Sequence, residues 1–343
     1  MSATTQVTTF SDIFTEILNK MRQPTNITAI SNQAKRYANT SLHDMVLGFE
    51  YKLPWLERDA TLILMAPYST GTVAVTRGST TVTGTSTAWT TANSYNVNNA
   101  RTTGKLLFGD GNIYTISAVG GATDITMNQR YVADSNLAAG ATYTYFEDEY
   151  ALASDFLKPI DQRMFSSARN IGIIGRNEFR LRFPRPNISG IPKVCTILDK
   201  PFSGSVTPVF RIQFYPYPNA NFIVPYSYIT SNLSVSSAGV EQVDMSADTD
   251  EPNLPLAYRH AIVLHAMAQW YRDKKDDARG QMAMQDYENT VTRLVNDQRI
   301  GANTQAQIQP RVGFYSGYAK TPYGGRARGR RFSTNNSFDE FRD

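Results

Sequence analysis

The sequence predicts an α+β protein with a helical bundle body that carries β-strands, an inserted all-β domain of sandwich or barrel type, and an extended C-terminal arm. Three observations predict this fold class. Apolar residues recur at helical spacing near both ends of the 343-residue chain, a Thr-rich stretch with strand-like alternation lies between them, and the residues after 301 follow no period. The predicted boundaries are 1–68 and 148–301 for the body, 69–147 for the β domain and 302–343 for the arm.

Composition excludes several classes of protein. With 41% hydrophobic and 11% aromatic residues, the chain is long and apolar enough for a sizeable core and unlike a disordered chain. The single cysteine, Cys195, excludes a disulfide framework, and its apolar neighbours favour a buried, inert thiol. No apolar run approaches the roughly 20 residues of a membrane helix, and the N-terminus lacks the order of a signal peptide. We therefore expect a soluble protein from a reducing compartment, with no cofactor and no membrane partner.

Residues 1–68 are predicted to form two helices and a strand. Apolar residues in 13–21 recur at helical spacing, and Ser11 or Asp12 is the candidate N-cap. A longer apolar stripe follows in 27–46 and predicts a second helix. The apolar run 60–65 predicts a strand.

Residues 69–147 have the pattern of a small all-β domain with six or seven strands. Ten of the 24 residues from Thr70 to Asn93 are Thr, and residues 69–146 contain only seven charged side chains. Asp110-Gly111 lies between two apolar runs and predicts a hairpin with a type I′ turn. Because helix-bearing segments lie on both sides, we interpret this domain as an insertion whose two ends are neighbours.

The rest of the body is predicted to contain a mixed β region followed by two helices. Strands are predicted at 178–183, 194–198, 210–218 and 221–228. A helix is predicted to begin at Leu254, with Pro255 in its first turn. After a polar break at 272–277, a second helix is indicated by Met284, Tyr287 and Leu294 on one face.

The positive charge of the chain is concentrated in its C-terminal arm. The net charge is +4, and residues 298–338 contain seven basic residues and no acidic one. The rest of the chain is close to neutral, which argues against a DNA-binding body and favours a basic arm with its own partner. The predicted partner-binding residues are the aromatic and arginine side chains of the arm: Phe314, Tyr315, Tyr318, Tyr323, Arg326, Arg328, Arg330, Arg331 and Phe332.

Few catalytic constellations are available in the sequence. It contains no Gly-x-Ser-x-Gly elbow and no phosphate loop that ends in Gly-Lys-Ser/Thr. His260 and His265 are five residues apart, which places them off a common helical face and favours packed histidines over a metal pair. The carboxylates Glu147, Asp148 and Glu149 have the chemistry for acid–base work, but the favoured interpretation is a solvated junction between domains.

A linear series of motifs resembles a family of tailed-bacteriophage neck proteins. The Thr-rich stretch 70–90 looks like the small β insertion of that family. It leads into Tyr150-Ala-Leu-Ala-Ser-Asp-Phe156, which is similar to the familiar Tyr-x-Leu-Pro-Ser-Asp-Phe with Ala153 in place of Pro. The remaining motifs are Phe214-Tyr-Pro-Tyr-Pro-Asn219, Ile223-Val-Pro-Tyr-Ser-Tyr228 and Leu254-Pro-Leu-Ala-Tyr-Arg-His260. The resemblance is to head-to-tail adaptor, or connector, ring proteins, and it covers residues 10–297.

The resemblance implies a structural virion protein that catalyses no reaction. Such proteins form a ring, usually of twelve copies, below the portal. The ring joins the DNA-filled head to the tail and continues the DNA channel. The implied partners are further copies of the chain, the portal protein, the tail tube, nozzle or other neck proteins, and genomic DNA that passes the lumen without specific binding. The resemblance also implies assembly in the host cytoplasm and a place in the head–tail neck of the virion.

Alternatives stay open for the arm, for the β domain and for the whole chain. The arm docks into the portal or a neighbouring subunit, contacts DNA through its arginines at 326–331, or is a solvated end. The β domain either thickens the rim of the ring or receives another collar or tail protein. The second interpretation of the chain is a tail-fibre or host-surface binding module, and the third is an enzyme such as a peptidoglycan hydrolase. Trp89 is expected in the core of the β domain, not on a saccharide-binding surface.

Overall fold

The computed structural model describes residues 7–47, 54–160, 163–165, 170–184, 187–198 and 209–307. The chain divides into two compact units, residues 1–259 and 260–343. The described residues contain five α-helices: α1 (Phe10–Lys20), α2 (Thr28–Leu47), α3 (Arg176–Arg182), α4 (His260–Asp273) and α5 (Asp277–Gln307). Within this part of the chain, no helix combines the length and apolarity that a bilayer crossing requires.

The described residues also contain twenty strands in five sheets. The first ten are β1 (Glu57–Leu64), β2 (Thr72–Val75), β3 (Thr81–Thr85), β4 (Lys105–Phe108), β5 (Ile113–Val119), β6 (Asp124–Met127), β7 (Leu137–Ala141), β8 (Tyr143–Phe146), β9 (Glu149–Ala151) and β10 (Phe156–Pro159). The others are β11 (Arg163–Phe165), β12 (Asn170–Ile173), β13 (Ser189–Gly190), β14 (Val194–Leu198), β15 (Arg211–Tyr215), β16 (Tyr217–Pro218), β17 (Phe222–Thr230), β18 (Ser234–Val235), β19 (Glu241–Gln242) and β20 (Glu251–Pro252).

The predicted helical bundle body is wrong, because the first unit builds its body on β-sheets. A three-stranded sheet, β1-β17-β10, and a five-stranded sheet, β11-β12-β14-β15-β9, contribute to one core. This core includes Leu64, Phe156, Phe214 and Val224, all nearly inaccessible to water. The physical reason is the length of the apolar runs. Strands such as β14, β15 and β17 are five to nine residues long, which suits a strand but is short for a helix that must bury one face.

The predicted N-terminal helix is confirmed, but its cap is Thr9 and not Ser11 or Asp12. The Thr9 side chain accepts a hydrogen bond from the Asp12 backbone N–H at 3.3 Å, and the Asp12 carboxylate accepts the Thr9 N–H at 2.9 Å. This reciprocal capping box satisfies two backbone donors that the first helical turn would otherwise leave free. The buried face of α1, which includes Phe10, Ile13 and Ile17, follows the predicted helical spacing.

The loop before β20 fastens the two N-terminal helices to the first unit. His43 Nε2 lies 2.7 Å from an Asp244 carboxylate oxygen, and the Lys35 ammonium group pairs with Asp248. The Asn39 side-chain amide donates to the Met245 carbonyl at 3.0 Å. These contacts join residues about two hundred positions apart in the chain, so the loop conformation determines where α2 lies.

Asp250 organises this loop. One carboxylate oxygen of Asp250 accepts the backbone N–H groups of Ser246 and Ala247, each at 2.7 Å, and the side-chain amide of Gln242. The Asp250 carbonyl accepts the Phe10 N–H at 2.7 Å, which ties α1 to the same turn. Burial by itself raises the pKa of Asp250, but the hydrogen bonds from Ala247, Ser246 and Gln242 outweigh it, and the net shift of the pKa is downward.

We expect Asp250→Ala to lower the free energy of unfolding by about 2–3 kcal/mol, since several hydrogen bonds to a charged acceptor are lost together. The depressed pKa means that the stabilisation by Asp250 is present above the ordinary value of 3.8 and is lost as pH falls below it. The difference in the free energy of unfolding between wild type and Asp250→Asn, measured by urea denaturation, should therefore become smaller as the pH is lowered through this range. The exposed Asp134→Ala serves as a control and should change stability by less than about 0.5 kcal/mol. An equal loss for both alanine variants would contradict the role given to Asp250.

Between residues 72 and 146 the chain forms a single seven-stranded antiparallel sheet, in the order β7-β2-β3-β6-β5-β4-β8. The two outermost strands, β7 and β8, are consecutive in the chain and separated only by Thr142. The sheet must therefore curl until its two edges meet at that point. A separate core fills it, drawn from residues 73–145, and Trp89 is completely buried there as expected.

The hairpin predicted at Asp110-Gly111 forms between β4 and β5, but its turn is not type I′. A type I′ turn requires a positive φ at both central residues. Gly111 has a positive φ of 75°, but Asp110 does not have a positive φ. The Gly111 N–H donates to the Phe108 carbonyl at 3.0 Å, and the Asp110 side chain accepts the Asn112 N–H at 3.0 Å. The side chain of Asp110 thus stabilises a longer loop than the sequence pattern indicates.

Residues 178–183, predicted as a strand, belong largely to the helix α3. Phe179, Leu181 and Phe183 alternate with charged residues, which is typical of a strand. However, Phe179 and Phe183 are also four residues apart, and in the helix their rings meet edge to face at 5.5 Å. Leu181, at 85% relative exposure, has no place in the core. The helix connects β12 to the parallel strand β14, a connection that an extended segment of this length would not make.

The second unit is a helical hairpin. The predicted polar break separates α4 from α5, and Lys275 within it has a positive φ of 61°. The helices lie close together at Gly280, where a Cβ would make an ordinary van der Waals contact of 3.6 Å with the Ala268 carbonyl oxygen. The ring centroids of His265 and Tyr287 are 4.6 Å apart, so the histidine packs between the helices as the sequence favoured. The helix α5 continues through Gln307 and thus includes residues 302–307.

Candidate functional site: a buried charge cluster between two sheets

The three predicted carboxylates lie where the chain passes from the seven-stranded sheet to the five-stranded sheet. Only Glu147 and Asp148 separate β8 from β9, and Glu149 begins β9. The predicted solvated junction is wrong, because Glu147 is 2% exposed and Asp148 is completely buried. The flanking strands enclose this turn, since β8 pairs with β4 while β9 pairs with β15.

Three cations meet these three carboxylates, and we call the six residues the junction cluster. Its members are Arg101, Lys105, Glu147, Asp148, Glu149 and Arg211. The cluster is neutral in sum, because each side chain of one sign is matched by one of the other. Burial of charge is tolerated in proteins when it is paired in this way.

Glu147 is held by groups from the seven-stranded sheet and its loops. Arg101 engages both carboxylate oxygens, with its Nε at 2.8 Å from one of them. The Thr103 hydroxyl donates at 3.1 Å, and the Tyr145 hydroxyl donates to the same oxygen. The Tyr145 hydroxyl in turn accepts the Arg101 backbone N–H at 2.9 Å. Burial and the adjacent Glu147 carboxylate raise the pKa of Tyr145, so it remains a hydrogen-bond donor.

Lys105 links β4 of the seven-stranded sheet to the two other carboxylates. Its ammonium nitrogen lies 2.7 Å from an Asp148 oxygen and 3.0 Å from a Glu149 oxygen. Burial by itself lowers the pKa of Lys105, but the two carboxylates outweigh it, and the net shift is upward. Lys105 is therefore charged at neutral pH. Arg211 of β15 pairs with the other Glu149 oxygen at 3.4 Å.

Asp148 is the most deeply buried member of the cluster. Burial raises its pKa, while Lys105 and the Gln213 side-chain amide, which donates at 2.7 Å, oppose that shift. The Asp148 carbonyl also accepts the Phe214 N–H at 2.8 Å. Asp148 thus contacts β4 on one side and β15 on the other. The arrangement fixes one sheet against the other, and each carboxylate of the cluster is already engaged by a cation.

The motif residues of the resemblance converge next to this cluster. Asp155 accepts the hydroxyls of Tyr228 and Thr230, each at 2.7 Å, and thereby anchors the end of β17. Phe156 stacks on Tyr228, with ring centroids 5.6 Å apart. The Tyr226 hydroxyl accepts the Ala153 N–H at 2.9 Å, a bond that the proline of the familiar motif could not make. The two motif segments, 150–156 and 223–228, therefore act as one structural unit.

The predicted arm residues lie outside the described part of the chain. All nine, from Phe314 to Phe332, come after Gln307, where the description ends. Their assignment as partner-binding residues stays a prediction. Among the described residues, no group of three or more His, Cys, Asp or Glu side chains is arranged to hold a metal ion. Cys195 is completely buried as predicted, and burial raises the pKa of its thiol to about 12.

A basic segment of the body was not among the sites predicted from the sequence. Residues 158–193 contain eight basic and two acidic residues, a net charge of +6 that the near-neutral total of the body conceals. Arg176, Arg180 and Lys193 in this segment are exposed, and so is Arg182, which pairs with Glu178 at 2.7 Å. A sliding count of charge along the chain would have found this segment.

The junction cluster is a charged centre that joins the seven-stranded sheet to the five-stranded sheet. The family model described as SU10 adaptor protein matches residues 115–311, more than half of the chain. The chain therefore belongs to this family of phage adaptor proteins, whose members are structural components of the virion and interact with other capsid or tail proteins. No curated protein matched the chain.

Proposed function

We propose that this protein is a ring-forming head-to-tail adaptor. Copies of it, twelve by the family resemblance, lie below the portal, join the DNA-filled head to the tail and continue the DNA channel. The observation that carries the proposal is the match of residues 115–311 to the SU10 adaptor family. The ordered motifs that resemble connector proteins support it. Copies in a closed ring meet through heterologous contacts, so each copy requires two different complementary surfaces.

Within this proposal, residues 69–147 are an inserted domain. Two observations support it. The backbone N–H groups of Tyr68 and Tyr145 donate to each other's carbonyls at 2.8 Å, so the chain enters and leaves the seven-stranded sheet at one place. The sheet also has its own core. Because the family match begins at residue 115, the strands after that point belong to the part of the chain that the family shares. Deletion of residues 71–145, combined with Glu147→Gln and Asp148→Asn because the deletion removes their partners Arg101 and Lys105, would separate a ring-building role from decoration of the rim.

The C-terminal arm, in this proposal, docks into the portal or a neighbouring subunit. Tyrosine and arginine are the side chains most enriched at the energetic centres of interfaces. Arginine pairs bidentately with carboxylates, and tyrosine combines a large contact area with one hydrogen bond. The arm residues Tyr318, Tyr323 and Arg326 are of these types.

Removal of the arm tests this role. A chain that ends after Gln307 keeps α5 complete, and we expect it to bind purified portal at least about 30-fold more weakly than the full chain, because several anchor side chains are lost. Portal binding is measured by surface plasmon resonance, and circular dichroism checks that the body is folded. A loss that affects only salt-sensitive DNA binding assigns the arm to DNA instead. Unchanged portal affinity contradicts docking into the portal and leaves the neighbouring subunit as the receptor of the arm.

A further inference from the structure

The first strand of the body has a free edge. β1 is the outer strand of the sheet β1-β17-β10, and it pairs with β17 over its full length, from Glu57–Ile229 to Leu64–Phe222. In an antiparallel pair, alternate residues direct their N–H and C=O groups away from the partner strand. Across the described ranges of the chain, no strand pairs with that outer edge of β1.

An exposed apolar patch lies beside this edge. Ile63 and Ile223 are directly opposite each other on β1 and β17, and they are 43% and 57% exposed. The next pair on the same face, Thr61 and Pro225, is also exposed. Natural proteins protect edge strands with charged residues, yet residues 60–64 of β1 contain none. A five-residue uncharged stretch of edge strand beside exposed isoleucines is the kind of surface that accepts an additional strand.

The other half of β1 is acidic on this face. Glu57 and Asp59 lie on the same face as Thr61 and Ile63, because side chains alternate along a strand. Among the described residues, neither Glu57 nor Asp59 has an ion-pair partner, whereas Arg58 on the other face pairs with Glu241. A strand that covers this edge therefore needs an apolar first part and a basic end.

The C-terminal arm contains one segment of this composition. In residues 312–320 the side chains Phe314, Ser316, Tyr318 and Lys320 alternate with Gly313, Tyr315, Gly317 and Ala319. Apart from Tyr315, the larger side chains fall on alternate residues, so an extended segment would present Phe314, Tyr318 and Lys320 on one face. Only the four residues 308–311 lie between Gln307 and this segment, and an extended linker of that length reaches at most about 18 Å, so the proposal requires the receiving edge to lie that close to the end of α5 in the donating copy.

We propose that residues 312–320 of one copy add as an antiparallel strand to the free edge of β1 in the next copy. In the register that matches the chemistry, Phe314 is opposite Ile63, Tyr318 is opposite Asp59, and Lys320 is opposite Glu57. Ser316 is then opposite Thr61. The inference rests on the proposed ring function, and it names the surface on the neighbouring subunit that receives the arm.

A disulfide between two copies tests the register. Full-length Thr61→Cys and full-length Ser316→Cys are purified separately, mixed and oxidised, and the natural thiol does not interfere because Cys195 is completely buried. Directly opposite residues on antiparallel strands have Cβ atoms about 4.5–5.5 Å apart, so we expect cross-linked chains in the mixture and only traces in either variant alone. Val132→Cys, at an exposed position within the seven-stranded part, replaces Thr61→Cys as the matched control and should not cross-link.

Proteolysis gives a second readout on the full chain. Trypsin cleaves after Arg311 and after Lys320, which bracket the proposed strand. In assembled protein we expect cleavage at both sites to be about ten-fold slower than in Ile63→Asp, since cleavage follows the population of the open form. Val132→Asp should behave like wild type.

Rings that form normally without the cross-link, or equal cleavage in Ile63→Asp and wild type, overturn this inference alone. The mixture is also oxidised with purified portal present. Absence of rings and of cross-links there overturns both the inference and the proposed function, and cross-links without rings support arm exchange but overturn the ring.

Discussion

Replacement of Lys105 by Met is expected to lower the free energy of unfolding by about 3–5 kcal/mol, the usual cost of leaving a buried charge without its partner. Asp148, completely buried, and Glu149 would lose the ammonium group that now lies 2.7 and 3.0 Å from them. The methionine side chain preserves most of the apolar contact of the lysine stem, so the loss reports on charge. Urea denaturation followed by circular dichroism measures it.

Two further variants separate the charge effect from simple disruption of packing. Lys105→Met combined with Asp148→Asn should recover about half of the loss, because a neutral amide costs less to bury than an unpaired carboxylate. Lys20→Ala removes an exposed pair with Glu16 at 3.7 Å and should cost less than about 0.5 kcal/mol. The loss of free energy of unfolding in Lys105→Met should also become smaller as pH falls. Burial already raises the pKa of Asp148, and protonation of Asp148 removes the unpaired charge. A loss below about 1 kcal/mol at neutral pH would contradict the junction cluster as a buried centre.

Trp89→Ala is expected to cost about 3–5 kcal/mol, because it empties the largest completely buried position of the seven-stranded sheet. The indole N–H donates to the Tyr143 hydroxyl at 2.9 Å, and the two rings meet edge to face at 5.8 Å. Gly84 is adapted to this ring, since a Cβ there would come within 2.9 Å of it. Urea denaturation measures the loss, and hydrogen exchange should place it in residues 72–146.

A conservative change at the same position gives the scale. Trp89→Phe keeps an aromatic ring but loses volume and the indole donor, so we expect a smaller cost of about 1–2 kcal/mol. Tyr95→Ala removes an aromatic side chain that is 42% exposed, and it should change stability by less than about 0.5 kcal/mol. If Trp89→Ala lowered the free energy of unfolding no more than Tyr95→Ala, the stability of the seven-stranded sheet would not depend on this core.

The sequence predicted individual strands better than their assembly. The segments that became β1, β14 and β17 carry β-branched and aromatic residues in short runs, and their locations were confirmed. The helix α3 was not predicted because Phe179, Leu181 and Phe183 alternate with charged residues as in a strand. The four-residue spacing of Phe179 and Phe183 fits a helix equally well. The helical bundle was expected because the helices at the two ends have the clearest periodicity, whereas the pairing of distant strands leaves no local pattern.

The junction cluster shows why the site was harder to predict than the fold. The carboxylates Glu147, Asp148 and Glu149 were recognised as a charged run, and a charged run is usually solvated. Their burial depends on Lys105, which lies 43 positions away from Asp148 in the chain, and on Arg211 of β15, the strand that pairs with β9. The spacing of the residues contains no information on such a pairing. An isolated lysine at the start of β4, in a stretch almost free of charge, was the one signal available in the sequence.

The most direct test of the central claim is the mass of the full-length protein, measured by native mass spectrometry with and without purified portal. We expect one closed assembly of a fixed number of copies on the portal, with no open-ended series of larger species. A protein that stays a single chain in the presence of portal, and leaves the mass of the portal unchanged, would contradict it.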